Sequence, residues 1–253
     1  MTKILLHGAN GAMGRALRAL LDAGFADCTA GPMVSRSGNG AFASFSEIRE
    51  SADVVLDFSF HTATESALGF ALEHGLPIVI GTTGHTQQER ACIERASEQI
   101  PVFFSGNMSL GIAALCGLVR EAARLFPEAE IEIVETHHSR KADAPSGTAI
   151  TLAEGILDHL ADKQGWVNYA PGIAHATNRV VRSEDTPADR IEIRSVREGA
   201  VPGIHTVTYE SADDMLELKH TIKNRRTLAM GAVVAAEFLC GKQGVFGMDD
   251  LLK

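Results

Sequence analysis

The segment from Glu135 to Ala149 holds the densest group of reactive side chains in the sequence. It reads ETHHSRKADAPSGTA, so two adjacent histidines, His137 and His138, precede the cation Lys141. An imidazole titrates near neutral pH and suits proton transfer, and a nearby ammonium group can hold a carboxylate. The segment therefore predicts acid catalysis on an anionic substrate. The alternative interpretations are an exposed polar loop and a nucleic-acid patch.

The same segment ends where we predict the start of a helix, at Ser146-Gly147-Thr148. A serine hydroxyl is a favourable N-cap, and the first backbone amides of a helix attract anions. We therefore expect an anion site close to the two histidines.

A glycine-rich loop forms a second candidate site. Gly8-Ala9-Asn10-Gly11-Ala12-Met13-Gly14 follows the first predicted strand and opens the first predicted helix. Its G-x-x-G-x-x-G spacing is a variant of the dinucleotide-binding pattern, in which glycines let backbone amides approach a pyrophosphate. We predict dinucleotide binding. The alternative is a turn in which the glycines serve only the backbone.

The residues after the second predicted strand indicate which dinucleotide is bound. NAD enzymes usually carry an acid about 20 residues beyond the glycines. Here the chain reads Val34-Ser35-Arg36-Ser37, and no acid occurs from residue 30 to residue 43. Since Arg36 can bind a 2′-phosphate, we predict that NADPH is preferred and that NADH is possible. The alternative is that Arg36 is a solvated loop residue.

Two more loops are expected to line the cofactor site, because ligands in open α/β sheets lie beyond the carboxyl ends of strands. Gly81-Thr82-Thr83-Gly84 follows the apolar run 78–80. Ser105-Gly106-Asn107-Met108 follows the apolar run 102–104.

The first part of the chain alternates short apolar runs with longer amphipathic ones, which predicts a Rossmann-like, doubly wound parallel sheet. The predicted strands are 4–6, 29–34, 54–58, 78–80 and 102–104, and the predicted helices are 11–23, 62–74 and 86–97.

The pattern changes after Gly106 to strands with period-two alternation, so we predict a smaller α+β domain with a mixed, mostly antiparallel sheet. Its predicted strands are 130–133, 191–196, 206–209 and 215–220, the last two forming a hairpin, and its predicted helices are 112–125 and 148–160. A last helix is predicted at 227–239. We place the dinucleotide-binding domain at 1–108 and 222–253, and the substrate-binding and oligomerisation domain at 109–221.

Composition excludes several other classes of protein. The chain has 253 residues and a formal charge of -9, which disfavours binding to nucleic acid. No apolar run approaches the roughly 20 residues of a membrane span, and glycine comes too early for a signal peptide.

The scattered cysteines Cys28, Cys92, Cys116 and Cys240 are expected to be buried thiols in a reducing cytoplasm. No His-Glu-x-x-His, Tyr-x-x-x-Lys or Gly-x-Ser-x-Gly motif occurs, and we predict no metal ligands.

Together these motifs resemble the 4-hydroxy-tetrahydrodipicolinate reductase (dihydrodipicolinate reductase) family of bacterial lysine biosynthesis. The resemblance is carried by Gly8 to Arg15, Gly81 to Gly84, Glu135 to Ala149, Pro202 to Thr206 and Arg226 to Leu239. It implies reduction of 4-hydroxy-tetrahydrodipicolinate to tetrahydrodipicolinate, with loss of water, by a cytoplasmic homotetramer. The implied substrate is a small cyclic dicarboxylate.

The resemblance also implies roles for individual residues. His137 is the expected proton donor and Lys141 a second donor that also holds the substrate. The other expected substrate ligands are His138, Gly147 and Thr148. The expected cofactor-binding residues, together with Arg36, are Gly8, Ala9, Asn10, Gly11, Ala12, Met13, Gly81, Thr82, Thr83, Ser105, Gly106, Asn107 and Met108. The last four depart from the family's usual Ala-Pro-Asn-Phe and keep only the asparagine.

Two other functions fit parts of the sequence. A dinucleotide-responsive regulator needs the glycine loop but neither His137 nor Lys141, so the presence of both residues favours an enzyme. Among enzymes, the alternative is a dehydrogenase of aspartate or another small acid.

Overall fold

The chain folds into two compact units in a computed structural model that describes residues 1–173 and 175–252. The first unit is Met1–Leu110 with the segment from Arg225 onwards, and the second is Gly111–Asn224. The helices are α1 (Ala12–Asp22), α2 (Thr64–His74), α3 (Gln87–Ala96), α4 (Leu110–Leu125), α5 (Gly147–Leu157) and α6 (Arg226–Leu239). The strands are β1 (Thr2–His7), β2 (Cys28–Val34), β3 (Val54–Asp57), β4 (Ile78–Ile80), β5 (Val102–Phe104), β6 (Glu130–His137), β7 (Gly165–Tyr169), β8 (Arg179–Val180), β9 (Arg190–Arg197), β10 (Ile204–Glu210), β11 (Met215–Thr221) and β12 (Val245–Phe246).

The first unit contains a six-stranded sheet in the order β12-β5-β4-β3-β1-β2, with every neighbouring pair parallel. This confirms the predicted doubly wound sheet. The apolar residues of β1, β3 and β4 are buried, because helices of a β-α-β chain cover both faces of a parallel sheet. The sequence analysis missed β12, a two-residue edge strand too short to show periodicity.

The strand order reverses at β1, which pairs with β2 on one side and with β3 on the other. In open α/β sheets such a switch point, at the carboxyl ends of the strands, is where ligands bind. The glycine loop starts there, directly after His7.

The second unit contains a sheet in the order β11-β10-β6-β9-β7-β8. The prediction of a mixed sheet is confirmed, and so is the β10–β11 hairpin, which closes where Glu210 pairs with Met215. The antiparallel pairing is confined to β10 and its two neighbours, whereas β6, β9, β7 and β8 pair in parallel, so the sheet is more evenly mixed than predicted. Alternation shows which side chains are buried but does not reveal the direction of the neighbouring strand.

One face of this mixed sheet builds the core of the second unit. Ile131 and Ile133 of β6 join apolar residues of β9 and β10 and pack against α4 and α5. The core is tied to α4 by the buried Tyr209, whose hydroxyl donates to the Val119 carbonyl at 2.5 Å.

The four cysteines are free thiols. Cys28 and Cys116 are buried as expected, but Cys92 is half-buried and Cys240 is exposed, so that expectation is wrong for two of the four. Cys92 lies on a partly exposed face of α3, and Cys240 follows the last residue of α6. A small apolar side chain is tolerated at such positions. Among the described residues, none of the helices is both long enough and apolar enough to span a bilayer.

Candidate active site

The glycine loop lies tightly against the ends of the neighbouring strands. Gly8 has φ +82°, and a Cβ atom on it would overlap the backbone of Phe58. A Cβ on Gly14 would overlap the backbone of the loop itself. Gly11 has no side chain to cap α1, so the first amides of the helix are oriented to bind an anion. This cradle fits the pyrophosphate of a dinucleotide.

Asn10 connects the glycine loop to the loop that carries Arg36. Its side-chain Nδ2 donates to Ser37 Oγ at 3.1 Å and to the Gly38 carbonyl at 2.9 Å. Arg36 is exposed in that second loop. The structure thus brings together two of the segments that the sequence assigned to one cofactor.

The loops after β4 and β5 also meet at this edge of the sheet. A Cβ on Gly106 would lie 3.4 Å from Thr83 Cγ2, and one on Gly81 would overlap the Phe58 ring. The backbone at Ser105 is fixed by its own hydroxyl, which donates to the Asn107 carbonyl at 2.9 Å. Since the Met108 side chain is buried, the backbone of this loop is the part that can face a ligand.

A buried polar network, the Asp57 cluster, lies beneath these loops and consists of His7, Asp57, Ser59, Thr64 and His85. His7 Nδ1 lies 2.9 Å from Asp57 Oδ1, and Thr64 Oγ1 donates to Asp57 Oδ2 at 2.7 Å. Burial by itself raises the pKa of Asp57, but the contacts with His7, Ser59 and Thr64 outweigh it and lower that pKa. The sequence analysis did not identify this cluster.

In the second unit, the reactive segment joins the end of a strand to the start of a helix, as predicted. Strand β6 ends at His137 and α5 begins at Gly147. Ser146 is the N-cap, with its Oγ accepting from the Ala149 amide at 3.2 Å. Gly147 is exposed and Thr148 half-exposed at this helix start. An anion can therefore reach the first turn of α5.

His137 belongs to a second buried network, the Glu135 cluster, which consists of Glu135, His137, Ser146, Arg197 and His205. His137 Nδ1 is hydrogen-bonded to the Glu135 carboxylate, and Arg197 Nη2 lies 2.9 Å from Glu135 Oε1. Burial by itself raises the pKa of Glu135, but the His137 hydrogen bond and the Arg197 guanidinium overcome this and lower it to about 2. Glu135 is therefore a carboxylate that only accepts, so His137 Nδ1 is the donor.

His205 lies beside His137, with the two ring centres 5.2 Å apart. Its Nε2 lies 3.0 Å from Ser146 Oγ. Burial and, secondarily, the neighbouring His137 lower the pKa of His205 to about 3. His205 is thus neutral near pH 7 and unsuited to donate a proton there.

Lys141 returns toward the histidines through a tight turn, in which its backbone amide donates to the His138 carbonyl at 3.0 Å. Its ammonium lies 2.7 Å from both carboxylate oxygens of Asp143. Asp143 is exposed, and exposed ion pairs are weak, so Lys141 can exchange this partner for a substrate carboxylate. His138 is half-buried, and its Nδ1 is buried and bonds to none of the described residues.

Sequence reasoning missed Glu135, Arg197 and His205 as members of the site. A signal for Glu135 was present, since the alternation of β6 places it on the same buried face as Ile131 and Ile133. A buried carboxylate requires a charged or hydrogen-bonded partner. The partners come from β9 and β10, and pairing between distant strands leaves no local pattern.

Glu135, His137 and His205 each bring one potential metal-ligand atom within 4.8 Å of the others. Arg197 places a fixed positive charge against the same carboxylate. A second cation is therefore disfavoured there, and the group suits proton transfer better than metal binding. The absence of metal ligands stays a prediction.

Comparison with known proteins covers almost the whole chain. Residues 2–108 match the family model "Dihydrodipicolinate reductase, N-terminus", and residues 111–252 match "Dihydrodipicolinate reductase, C-terminus". The 4-hydroxy-tetrahydrodipicolinate reductase of Akkermansia muciniphila is 38% identical over 254 residues, covering 100% of this chain and 98% of that protein. The enzyme of the same name from Caldanaerobacter subterraneus subsp. tengcongensis is 36% identical over 261 residues, covering 100% and 99%.

Solved structures share the fold. The dipicolinate-bound dihydrodipicolinate reductase from Paenisporosarcina sp. TG-14 superposes with a TM-score of 0.76 at 21% identity, covering 99% of each chain. An oxidoreductase from Agrobacterium radiobacter, in complex with NAD+, L-tartaric acid and magnesium, has a TM-score of 0.57 at 10% identity, covering 99% of this chain and 92% of that one.

Proposed function

The chain belongs to the dihydrodipicolinate reductase family, and we propose that it uses NADPH in preference to NADH and His137 as its proton donor. The reaction is the reduction of 4-hydroxy-tetrahydrodipicolinate in the diaminopimelate route to lysine. The 4-hydroxyl leaves as water together with a proton from a neighbouring ring carbon, and one hydride and one proton are added to the ring.

The first unit holds the cofactor in this proposal. When bound, NADPH supplies a hydride from C4 of its nicotinamide. The backbone from Gly8 to Met13 would bind the pyrophosphate, since the first amides of α1 form an anion site. The backbone of Gly81 to Thr83 and of Ser105 to Met108 would line the nicotinamide end.

Arg36 supports the preference for NADPH. Its exposed guanidinium is available for a charge-assisted bond to a 2′-phosphate. No carboxylate occurs between residues 30 and 43 to repel that phosphate. The hydrogen bonds from Asn10 to Ser37 and Gly38 hold this loop against the glycine loop.

The second unit binds the substrate in this proposal. Each carboxylate of a cyclic dicarboxylate needs a positively charged partner or hydrogen-bond donors. Lys141, His138 and the exposed start of α5 at Gly147 and Thr148 provide them. The Paenisporosarcina protein binds dipicolinate, a compound of the same class.

The proton comes from His137. After hydride addition, an electron-rich ring carbon remains and has to be protonated. His137 holds its Nδ1 hydrogen toward Glu135, so the proton leaves from Nε2. Gly203 leaves space at that nitrogen, because a Cβ there would lie only 3.2 Å from Nε2. Lys141, in the neighbouring turn, is the second proposed donor.

The observation that carries this proposal is the charged, buried Glu135 bonded to His137 within the family's motif. The test is NADPH oxidation, followed at 340 nm in the ordinary nicotinamide assay, with substrate formed from pyruvate and aspartate semialdehyde. We expect turnover that depends on both compounds, with a higher kcat/KM for NADPH than for NADH. Equal or higher kcat/KM with NADH would contradict the cofactor proposal. Reduction of NADP+ or NAD+ with aspartate as substrate would favour the dehydrogenase alternative.

We also propose a cytoplasmic homotetramer assembled through the second unit. The described face of its sheet opposite α4 and α5 carries side chains such as Glu132, Thr208 and Arg194, and β11 exposes Met215. A tetramer would bury this face. Sedimentation equilibrium is expected to give four times the 27.0 kDa of one chain, and a 27.0 kDa particle at micromolar concentration would contradict it.

A further inference from the structure

We propose that Glu135, held by Arg197, is a positioning residue that fixes the ring and the tautomer of His137. This inference rests on the proposed role of His137 as proton donor. Glu135 touches neither substrate nor cofactor in this account. It acts by holding the Nδ1 hydrogen, so that Nε2 is the nitrogen that gives up a proton and takes up the next one.

Three paired strands place the participants. Glu135 of β6 lies opposite Ser195 of β9 on one side and opposite His205 of β10 on the other. His137 lies opposite Arg197 in the same parallel pairing. Because each position is set by sheet register, the carboxylate, guanidinium and imidazole are held on a rigid frame rather than on a mobile loop.

Charge and burial select one tautomer. Glu135 is fully buried, and the side chain of Arg197 is only 8% exposed, so water does not compete for the carboxylate. A carboxylate next to a guanidinium stays ionised and can only accept. The tautomer of His137 with hydrogen on Nε2 alone would point a lone pair at that carboxylate, which is repulsive. His137 therefore keeps Nδ1–H after it has given up the Nε2 proton.

A second arginine–carboxylate pair on the same strands provides a matched control. Arg194 Nη2 of β9 lies 3.1 Å from Glu132 Oε1 of β6, and both side chains are about two-fifths exposed. Glu132 is three residues before Glu135 on β6, on the opposite face of the sheet. Glu132→Gln therefore removes an arginine–carboxylate pair without touching a histidine. Because Glu132 lies on the face proposed for the tetramer, the sedimentation of this variant is compared with that of the wild type.

The experiment compares kcat and KM of Glu135→Gln, Glu135→Asp and Glu132→Gln with the wild-type enzyme. Since Glu135→Gln leaves Arg197 buried without its partner, the double variant Glu135→Gln/Arg197→Gln is included to remove that charge. We expect kcat to fall about 10- to 100-fold in both variants with glutamine at 135, the size typical of groups that orient a metal-bound histidine, with KM little changed. Glu135→Asp is expected to retain part of the wild-type kcat, and Glu132→Gln all of it.

Nitrogen-15 NMR of the folded enzymes gives a readout that a merely structural role would not move. The wild-type enzyme is expected to show His137 with hydrogen on Nδ1 when neutral, and the glutamine variants a mixture of the two tautomers. Unchanged kcat in a folded glutamine variant, or an unchanged Nδ1–H tautomer, would overturn the inference. His137→Gln separates the two proposals: if it keeps normal kcat, the proton-donor role fails, whereas if only Glu135→Gln keeps it, the positioning role alone fails.

Discussion

The described residues include two histidine–carboxylate pairs whose carboxylate is fully buried, one in each unit, at the carboxyl ends of strands. In the first unit His7 lies 2.9 Å from Asp57, and in the second His137 is bonded to Glu135. Both carboxylates are fully buried, and both have a lowered pKa despite that burial. The two carboxylates are therefore alike in burial and in the direction of their pKa shift.

The two pairs differ in the other side chains that contact them. Asp57 also accepts from the hydroxyls of Ser59 and Thr64, at 2.5 and 2.7 Å, and the His7 ring packs edge-on against Phe45. Neutral hydroxyls and an aromatic ring enclose that pair. Glu135 instead faces the guanidinium of Arg197, and His137 borders a glycine.

A histidine–carboxylate pair alone therefore does not indicate catalysis. A pair closed by neutral donors stabilises the fold beneath a binding loop. A pair that is held by a fixed cation, with the second imidazole nitrogen beside a glycine, can deliver a proton. We therefore propose a structural role for the Asp57 cluster and a catalytic one for His137.

The largest expected effect comes from Lys141→Ala, next to the Glu135 cluster. Loss of a charged carboxylate contact and of a proton donor should raise KM and lower kcat, reducing kcat/KM by about 10³-fold or more. Steady-state kinetics checks this. Arg140→Ala, the exposed cation one residue earlier, is the control and should stay near wild type. Similar losses in both variants would show that general charge near the substrate, rather than Lys141 itself, is required.

Asp57→Asn is expected to lower the free energy of unfolding without lowering kcat. The amide cannot satisfy His7, Ser59 and Thr64 together, so we expect the free energy of unfolding to fall by about 1–3 kcal/mol. Urea denaturation measures this loss. At saturating substrates, kcat of the folded variant should be retained. A loss of kcat as large as that of His137→Gln would remove the distinction between the two clusters.

Arg36→Ala tests the cofactor preference in the first unit. A charge-assisted bond contributes about 1.5–3 kcal/mol, so Kd for NADPH should rise about 10- to 100-fold while Kd for NADH changes little. Fluorescence titration with both cofactors measures this, and NADH serves as the internal control. If both affinities fall equally, Arg36 does not contact the 2′-phosphate.

Acid stability gives a further prediction, and it concerns His205. Its pKa is lowered from 6.5 to about 3 in the folded protein, so the unfolded chain binds one more proton between those values. Stability should therefore fall as pH drops below 6.5, by at most about 1.4 kcal/mol per pH unit from this residue. In His205→Gln the slope over pH 4–6, measured by urea unfolding, should be shallower. An unchanged slope would mean that His205 is not held neutral.

Much of this structure could be predicted from local sequence patterns. The glycine loop, the parallel strands and the helix start at Ser146 each depend on residues close in sequence, and all three are confirmed. The reactive segment was also identifiable, because its residues are consecutive.

The clusters could not be predicted in the same way. Asp57 contacts His7 because β3 pairs with β1. Glu135 contacts Arg197 and lies opposite His205 because β6 pairs with β9 and with β10. Which strands become neighbours, and in which direction, depends on packing of the whole unit. That is also why the parallel pairing in the second sheet was not predicted, and the alternation of its strands led us to expect a mostly antiparallel sheet.

If His137, and not His7, gives a proton to the substrate, substitution of the two histidines must affect kcat differently. The most direct measurement is kcat of His137→Gln and His7→Gln, side by side at saturating NADPH and substrate. We expect His137→Gln to lose about 10²–10⁴-fold in kcat, the range of general acid catalysis, and His7→Gln to keep near-normal kcat. A folded His137→Gln enzyme with near-normal kcat, or equal losses in the two variants, would contradict the account.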